Sequence, residues 1–217
     1  MRVTLSFDNG PWPDATPRIL DILRGRGIRA SFFVVGARLA DPSARSAAER
    51  AKGEGHWIGN HTMTHSAPLG LMDDSRKALL EISDAQAALG DLSHPDRFFR
   101  PTGKGRLGPH VLTSATADYL ARNKYTVVTW NNVPRDWEGE SWVGRALDGL
   151  KGYDWSLVVL HDHHLASMMH TLDEFLDRIA DRYEIVQEFP DACGPMRRGE
   201  VQSALAGLTQ RRLGLGP

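Results

Sequence analysis

One cysteine, Cys193, stands in 217 residues, so no internal disulfide can form and nothing suggests a disulfide-stapled scaffold. No run of about 18 apolar residues is present, which excludes a membrane-crossing helix. The opening MRVTLSFDNG has neither a basic leader nor a long apolar core nor a small-residue cleavage site. Charge of one sign is also missing. Lysine plus arginine number 26 against 27 aspartate plus glutamate, a formal net charge of -1. With pI near 6.8, no basic surplus points to nucleic acid or an anionic membrane. These absences predict a soluble, cytoplasmic protein with no nucleic acid and no membrane among its partners.

What is present is 41% hydrophobic residues, enough for one sizeable core, and a regular alternation of element types. RVTLSF (2–7) reads as a buried strand. ATPRILDILRGR (15–26) carries apolar residues at helical spacing and ends at Gly27. ASFFVVG (30–36) is aromatic and β-branched, a second strand. A helix over 38–52, a GEG break at 53–55 and a third strand in HWIGNHT follow. Helices over 72–89, 108–123, 141–150 and 168–182 then precede strands at 97–101, 125–131, 156–161 and 183–189. Strand-helix alternation predicts a parallel sheet covered by helices. About seven such strands predict an α/β fold, a distorted or incomplete (β/α) barrel. It occupies residues 1–190, with a Gly- and Arg-rich C-terminal tail at 191–217 and one short helical stretch near 200–212.

The chemistry-bearing residues fall at the C-terminal ends of these strands. Asp8 and Asn9 end the first, His61 and His65 follow the third, and Arg100 and Pro101 end the fourth. Asp136 and Trp137 follow the fifth, and His161 with Asp162 ends the sixth. In α/β barrels that rim gathers catalytic groups because the strand tips converge there. HTMTH (61–65) spaces two imidazoles at i and i+4, within reach of one divalent ion if the segment forms a helical turn. Two ordinary surface or core histidines have the same spacing. A partly buried arginine beside Phe98-Phe99 needs a carboxylate, and Asp8 is a candidate partner for Arg100. Asp136 is a candidate to hold His161 and its tautomer, the alternative for both pairs being surface salt bridges to other residues. Of six tryptophans most belong to a core, while one or two at the rim would stack on sugar rings.

In order, these pieces resemble the polysaccharide deacetylase family, carbohydrate esterase family 4. SFDNGP (6–11) is similar to the family's Thr-Phe-Asp-Asp-Gly-Pro, and HTMTH to its His-Ser/Thr-x-x-His. RPTG (100–103), DW (136–137) and VLHD (159–162) resemble the remaining three signatures. The resemblance spans about residues 2–189. It implies a distorted barrel and metal-assisted removal of N-acetyl groups from amino-sugar oligomers or polysaccharide precursors. It implies Asp8 as general base held by Arg100, and His161 as general acid oriented by Asp136. Asn9, His61 and His65 would be ligands of one divalent metal, zinc or else cobalt or nickel. Gly103 would supply an oxyanion N–H, and Val159 and Trp137 would line the substrate site.

Two features depart from the family pattern. Asn9 stands where the family has an aspartate, so the donor set loses one negative charge and holds a divalent ion less tightly. RPTG lacks the usual proline-aromatic ending. Three functions follow: a carbohydrate N-deacetylase, a non-catalytic carbohydrate-binding relative with a weakened metal site, or an amidase on a small non-sugar N-acyl compound.

Overall fold

The computed structural model describes residues 1–210. It opens with β1 (Arg2–Asp8), α1 (Thr16–Gly25), β2 (Ser31–Val34), α2 (Pro42–Gly53), β3 (Trp57–Asn60) and α3 (Ser75–Leu89). It continues with β4 (Phe98–Phe99), β5 (Leu112–Thr113), α4 (Ser114–Arg122), β6 (Thr126–Val127) and α5 (Trp142–Leu150). Then come β7 (Trp155–His161), α6 (Asp162–Leu165), α7 (Met169–Ala180) and β8 (Glu184–Val186). The described chain ends with β9 (Met196–Arg197), β10 (Glu200–Val201) and β11 (Thr209–Gln210). Among the described residues no helix is long and apolar enough to cross a membrane.

The seven expected strands are parallel neighbours in the order β6-β4-β3-β2-β1-β7, with β8 also on β1. β2 reaches only the Ser6–Asp8 end of β1, and β8 fills the other end at Arg2–Thr4. The curl stops short of a full barrel. Between β6 and β7 the described residues form a single bridge, Asn132 opposite Val158. Asn132 is buried and its amide donates to the Ala146 carbonyl at 3.0 Å, which anchors that seam to α5.

Alternation along the strands separates an apolar jacket from a polar interior. Val3, Leu5 and Phe7 of β1 join Phe32, Val34, Val158 and Leu160 under α1, α5 and α7. Burying each such large side chain stabilises the fold by about 1.5–3 kcal/mol. The opposite face of β1 presents Thr4, Ser6 and Asp8, all buried, to the inside of the curl. There the Phe33 ring lies over Gly59, where a Cβ would stand 2.7 Å from it, so the ring takes this place because that residue is glycine.

The helix expected over 108–123 starts later, at Ser114. Thr113 caps it, accepting from the Thr116 N–H at 3.1 Å while the Thr116 hydroxyl accepts from the Thr113 N–H at 2.9 Å. The preceding residues form β5 and loop. In the C-terminal segment β9 pairs antiparallel with β6, and β10 folds back on β9. The helical stretch expected near 200–212 is instead a short 3-10 turn, Ser203–Leu208, between β10 and β11; residues 211 and 212 lie outside the described residues. Cys193 is buried beside Phe33, Phe98, Val128 and Leu157, and burial pushes its thiol up to about 11, so it is inert packing.

Candidate active site

At the strand tips a cavity of about 470 Å³ opens, and Asp8, His61, His65, Gly103, Trp137, Val159 and His161 all line it. Arg100 and Asp136 lie beneath it, both fully buried. β1 carries Asp8 inward because Ser6 and Asp8 share the polar face of the strand. Arg100 Nη1 donates to Asp8 Oδ1 at 2.7 Å and to Ser6 Oγ at 2.8 Å. Its Nε–H and one Nη2–H donate to the Val128 and Thr129 carbonyls, each at 3.3 Å, and its guanidinium lies 3.8 Å over the Phe33 ring. Burial alone would raise the Asp8 carboxyl, but Arg100, through charge and hydrogen bond, together with His161 outweighs it, and the net shift is downward. Asp8 is therefore ionised.

His61 and His65 are not on a helix. Residues 61–65 form a loop in which Thr62 (φ 68°) and His65 (φ 55°) take left-handed backbone conformations. Asn60 sets the first bend: its Oδ1 accepts from the Thr62 N–H at 2.9 Å while its Nδ2 holds the Ile82 carbonyl of α3 at 3.0 Å. The Thr62 hydroxyl then accepts from the His65 N–H at 3.1 Å. Side chain to backbone bonds thus replace the helical ladder. The rings still meet, with centroids 4.7 Å apart.

His61 Nδ1–H donates to the Arg100 carbonyl at 2.7 Å, because a carbonyl only accepts. That fixes the tautomer and leaves the Nε2 lone pair free, 3.6 Å from Asp8 Oδ2. Burial lowers the pKa of both rings, and that of His65 falls to about 3. Two imidazoles with free lone pairs, kept neutral, are what a metal requires.

Asn9 follows with φ 69° and is not among the lining residues of the cavity. Its Oδ1 is buried without a hydrogen-bond partner. Among the described residues no group of three His, Cys, Asp or Glu is placed to hold one ion. The donor chemistry nevertheless fits a divalent cation: two neutral imidazoles, with an orphaned amide oxygen for a third position.

Across the cavity His161 ends β7. Asp136 grips it twice, Oδ1 accepting from Nδ1–H at 2.7 Å and Oδ2 from the backbone N–H at 2.7 Å. Burial disfavours the charged ring, but the Asp136 hydrogen bond and charge, helped by Asp8 and Asp162, reverse the balance and raise the His161 pKa. Trp137 stands edge-on to His161, centroids 5.4 Å apart, with 39% of its surface exposed. Gly103 packs so closely that a Cβ would meet the Arg106 carbonyl oxygen at 2.5 Å.

Sequence reasoning missed Asn60, Asn132 and the wall residues Trp130, Val133 and His164. A buried amide that shapes a loop gives no local pattern. Trp130 sits at the end of the predicted strand 125–131, where rim position was the available signal. Asp162 is also fully buried, accepting from the Thr16 hydroxyl, and burial lifts its pKa to about 6.

A family model described as polysaccharide deacetylase matches residues 1–128. The chain belongs to the polysaccharide deacetylase family. A peptidoglycan-N-acetylglucosamine deacetylase of Bacillus cereus is 32% identical over 164 residues, covering 74% of this chain and 72% of that protein. A chitooligosaccharide deacetylase of Rhizobium leguminosarum bv. phaseoli is 32% identical over 163 residues, 73% of this chain and 66% of its own. Among solved structures, the Bacillus subtilis peptidoglycan deacetylase PdaC superposes with a TM-score of 0.67 at 29% identity, covering 85% of this chain and 86% of that one. A family 4 acetyl xylan esterase from Clostridium thermocellum, in complex with a cobalt ion, gives 0.68 at 26% identity over 86% and 88% of the two chains. The curled parallel sheet is thus the distorted barrel of this family. The family-model match ends before Asp136 and His161, so the second half of the site stands on its geometry.

Proposed function

We propose that the protein removes N-acetyl groups from amino-sugar oligomers by metal-assisted hydrolysis. The observation that carries this reading is the pairing across one cavity. An ionised Asp8 is locked by Arg100 on one side, and a His161 primed to carry a proton is locked by Asp136 on the other.

An amide carbonyl is a poor electrophile and an amine a poor leaving group. Asp8 accepts the proton of the attacking water, and Arg100 keeps the carboxylate available and oriented. His61 and His65, with the Asn9 amide oxygen, would hold a divalent ion, zinc or else cobalt or nickel. When bound, that ion supplies a Lewis acid that polarises the carbonyl. The Gly103 N–H meets the charge that builds on the carbonyl oxygen. His161 Nε2–H protonates the nitrogen as the C–N bond breaks, with Asp136 balancing the imidazolium. Trp137 offers a sugar-stacking face, and Val159, buried at the cavity wall, shapes the acyl end.

Named activities of the relatives support the amino-sugar substrate. The neutral amide at position 9 favours a second reading, a carbohydrate-binding relative without turnover. An amidase acting on a small non-sugar N-acyl compound would use the same groups. Acetate release from chitooligosaccharides with added Zn²⁺ or Co²⁺, alongside calorimetric metal titration of wild type and Asn9→Asp, separates them. The deacetylase reading expects metal-dependent acetate release and tighter metal binding by Asn9→Asp. Metal binding with cleavage of small amides alone selects the amidase. No metal binding and no release from any substrate defeats both hydrolase readings, and unchanged metal affinity in Asn9→Asp removes Asn9 from the donor set.

A further inference from the structure

A second cleft, of about 590 Å³, opens directly beside the catalytic cavity, and the two share Gly103, Lys104, Gly105, Val133 and Trp137. Its charged lining is all of one sign. Lys104, Arg106 and Arg135 face it, and no aspartate or glutamate does. This is a local concentration, because the whole chain carries a net charge of only -1. Arg135 is partly offset by Glu138, 2.9 Å away outside the lining. Lys104 and Arg106 are exposed and form no salt bridge among the described residues, so their charge is unspent.

The wall is built rather than frayed. Lys104 (φ 50°), Gly105 (φ 74°) and Arg135 (φ 58°) all take left-handed backbone conformations. Arg145 holds the Arg135 side of the wall, donating to the Pro134 carbonyl at 2.6 Å and the Arg135 carbonyl at 2.8 Å. On the other side His110 Nε2–H donates to the Gly103 carbonyl at 3.2 Å. Trp137 stands between the two chambers, edge-on to His161 and lining both. A sugar stacked there would leave its neighbour beside the basic cleft.

We propose that this cleft binds an anionic group, carboxylate or phosphate, on the unit joined to the sugar that loses its acyl group. The protein therefore prefers anionic glycans over neutral ones. This deepens the deacetylase reading and rests on it for the reacting end. Clefts of one charge sign raise the local concentration of oppositely charged ligands, in a salt-dependent way. Two or three exposed charge contacts together are worth roughly a tenfold change in affinity.

The test is calorimetric binding by the full-length protein, which needs no turnover. Three probes are compared: neutral chitobiose, N-acetylglucosaminyl-N-acetylmuramic acid for a carboxylate, and UDP-N-acetylglucosamine for a phosphate. At low salt one anionic probe is expected to bind about tenfold tighter than chitobiose, with the advantage shrinking as salt is added. Whichever anionic probe does so names the source of the charge. Arg106→Glu should erase that ratio and Arg106→Gln should halve it or more, with circular dichroism confirming the fold of each. Equal affinity for all three probes overturns the proposal. So does a loss in Arg106→Glu that falls equally on neutral and anionic probes. Absence of acetate release from every probe would instead count against the deacetylase reading, while the binding ratio still decides the cleft.

Discussion

Arg100→Gln tests the core of the site most directly. The guanidinium is fully buried and spends four N–H contacts, on Asp8, Ser6, Val128 and Thr129, while the Asp8 side chain is 6% exposed. Removing one partner of such a pair strands the other as an uncompensated buried charge, at about 3–5 kcal/mol. That is a large share of the roughly 5–15 kcal/mol by which domains are stable. With urea slopes of about 1–3 kcal/mol per molar, the midpoint should fall by roughly 1–5 M. The pH dependence gives a sharper signature. In the wild type the Asp8 pKa is depressed, so the stability it contributes is present above its unfolded value and lost as pH falls through the folded one. Without Arg100, burial dominates and lifts the carboxyl above its unfolded value. Stability then declines as pH rises from about 4 towards neutrality. Urea melts from pH 4 to 8 read this slope, and acetate-release rates over the same range should lose their acidic activity as the base becomes protonated. A midpoint loss under about 0.3 M, or an unchanged pH slope, would refute the claim that Arg100 holds Asp8 ionised.

Two further outcomes follow from the same groups. Asp136→Asn removes the charge that does most to raise the His161 pKa and leaves burial opposed only by the weaker influence of Asp8 and Asp162, so the pKa falls. The alkaline limb of kcat/KM should move to lower pH, with a loss on the order of 10²-fold at pH 8; an unmoved limb would mean His161 is not the acid. Asp162, with its pKa at about 6 against an ordinary 3.8, costs roughly 3 kcal/mol at neutral pH. The folded state binds the proton more tightly, so stability falls as pH climbs from 4 to 6. Asp162→Asn, whose amide oxygen still accepts from Thr16, should match the wild type near pH 4 and exceed it at pH 8; parallel melting curves at both pH values would refute this.

Strand-helix alternation was legible because each strand is a short β-branched or aromatic run bounded by glycine, proline or a cap. The pairing of Arg100 with Asp8 and of Asp136 with His161 was legible because a charge beside an apolar strand has to find its opposite. The two-histidine loop was not. HTMTH has helical spacing, yet Asn60 and Thr62 draw the backbone into turns through their own side chains, and nothing in five residues of sequence separates that from a helix. The place of 191–201 on the sheet edge was equally hidden, since β9 and β10 are two residues each and borrow their order from β6. The basic cleft joins residues 103–110 to residues 133–137, a juxtaposition that only the fold creates.

The formal charges around the cavity explain what position 9 does to the site. Asp8 balances Arg100, and Asp136 balances a charged His161, so these four groups sum to zero. In the proposed metal site the donors would decide the total. An aspartate at position 9 would cancel half the charge of a divalent ion, whereas Asn9 and two neutral imidazoles would cancel none of it. In the proposed site metal affinity would be lower, because the amide offers an orphaned dipole in place of an anion. His61 links the two halves of this balance. Its Nδ1 is pinned by the Arg100 carbonyl and its Nε2 already faces Asp8, so one ring touches the arginine's backbone, the base and the donor set. With no carboxylate at position 9, Asp8 would be the anion nearest to a cation held by His61, and its pairing with Arg100 would keep it available as the proposed base.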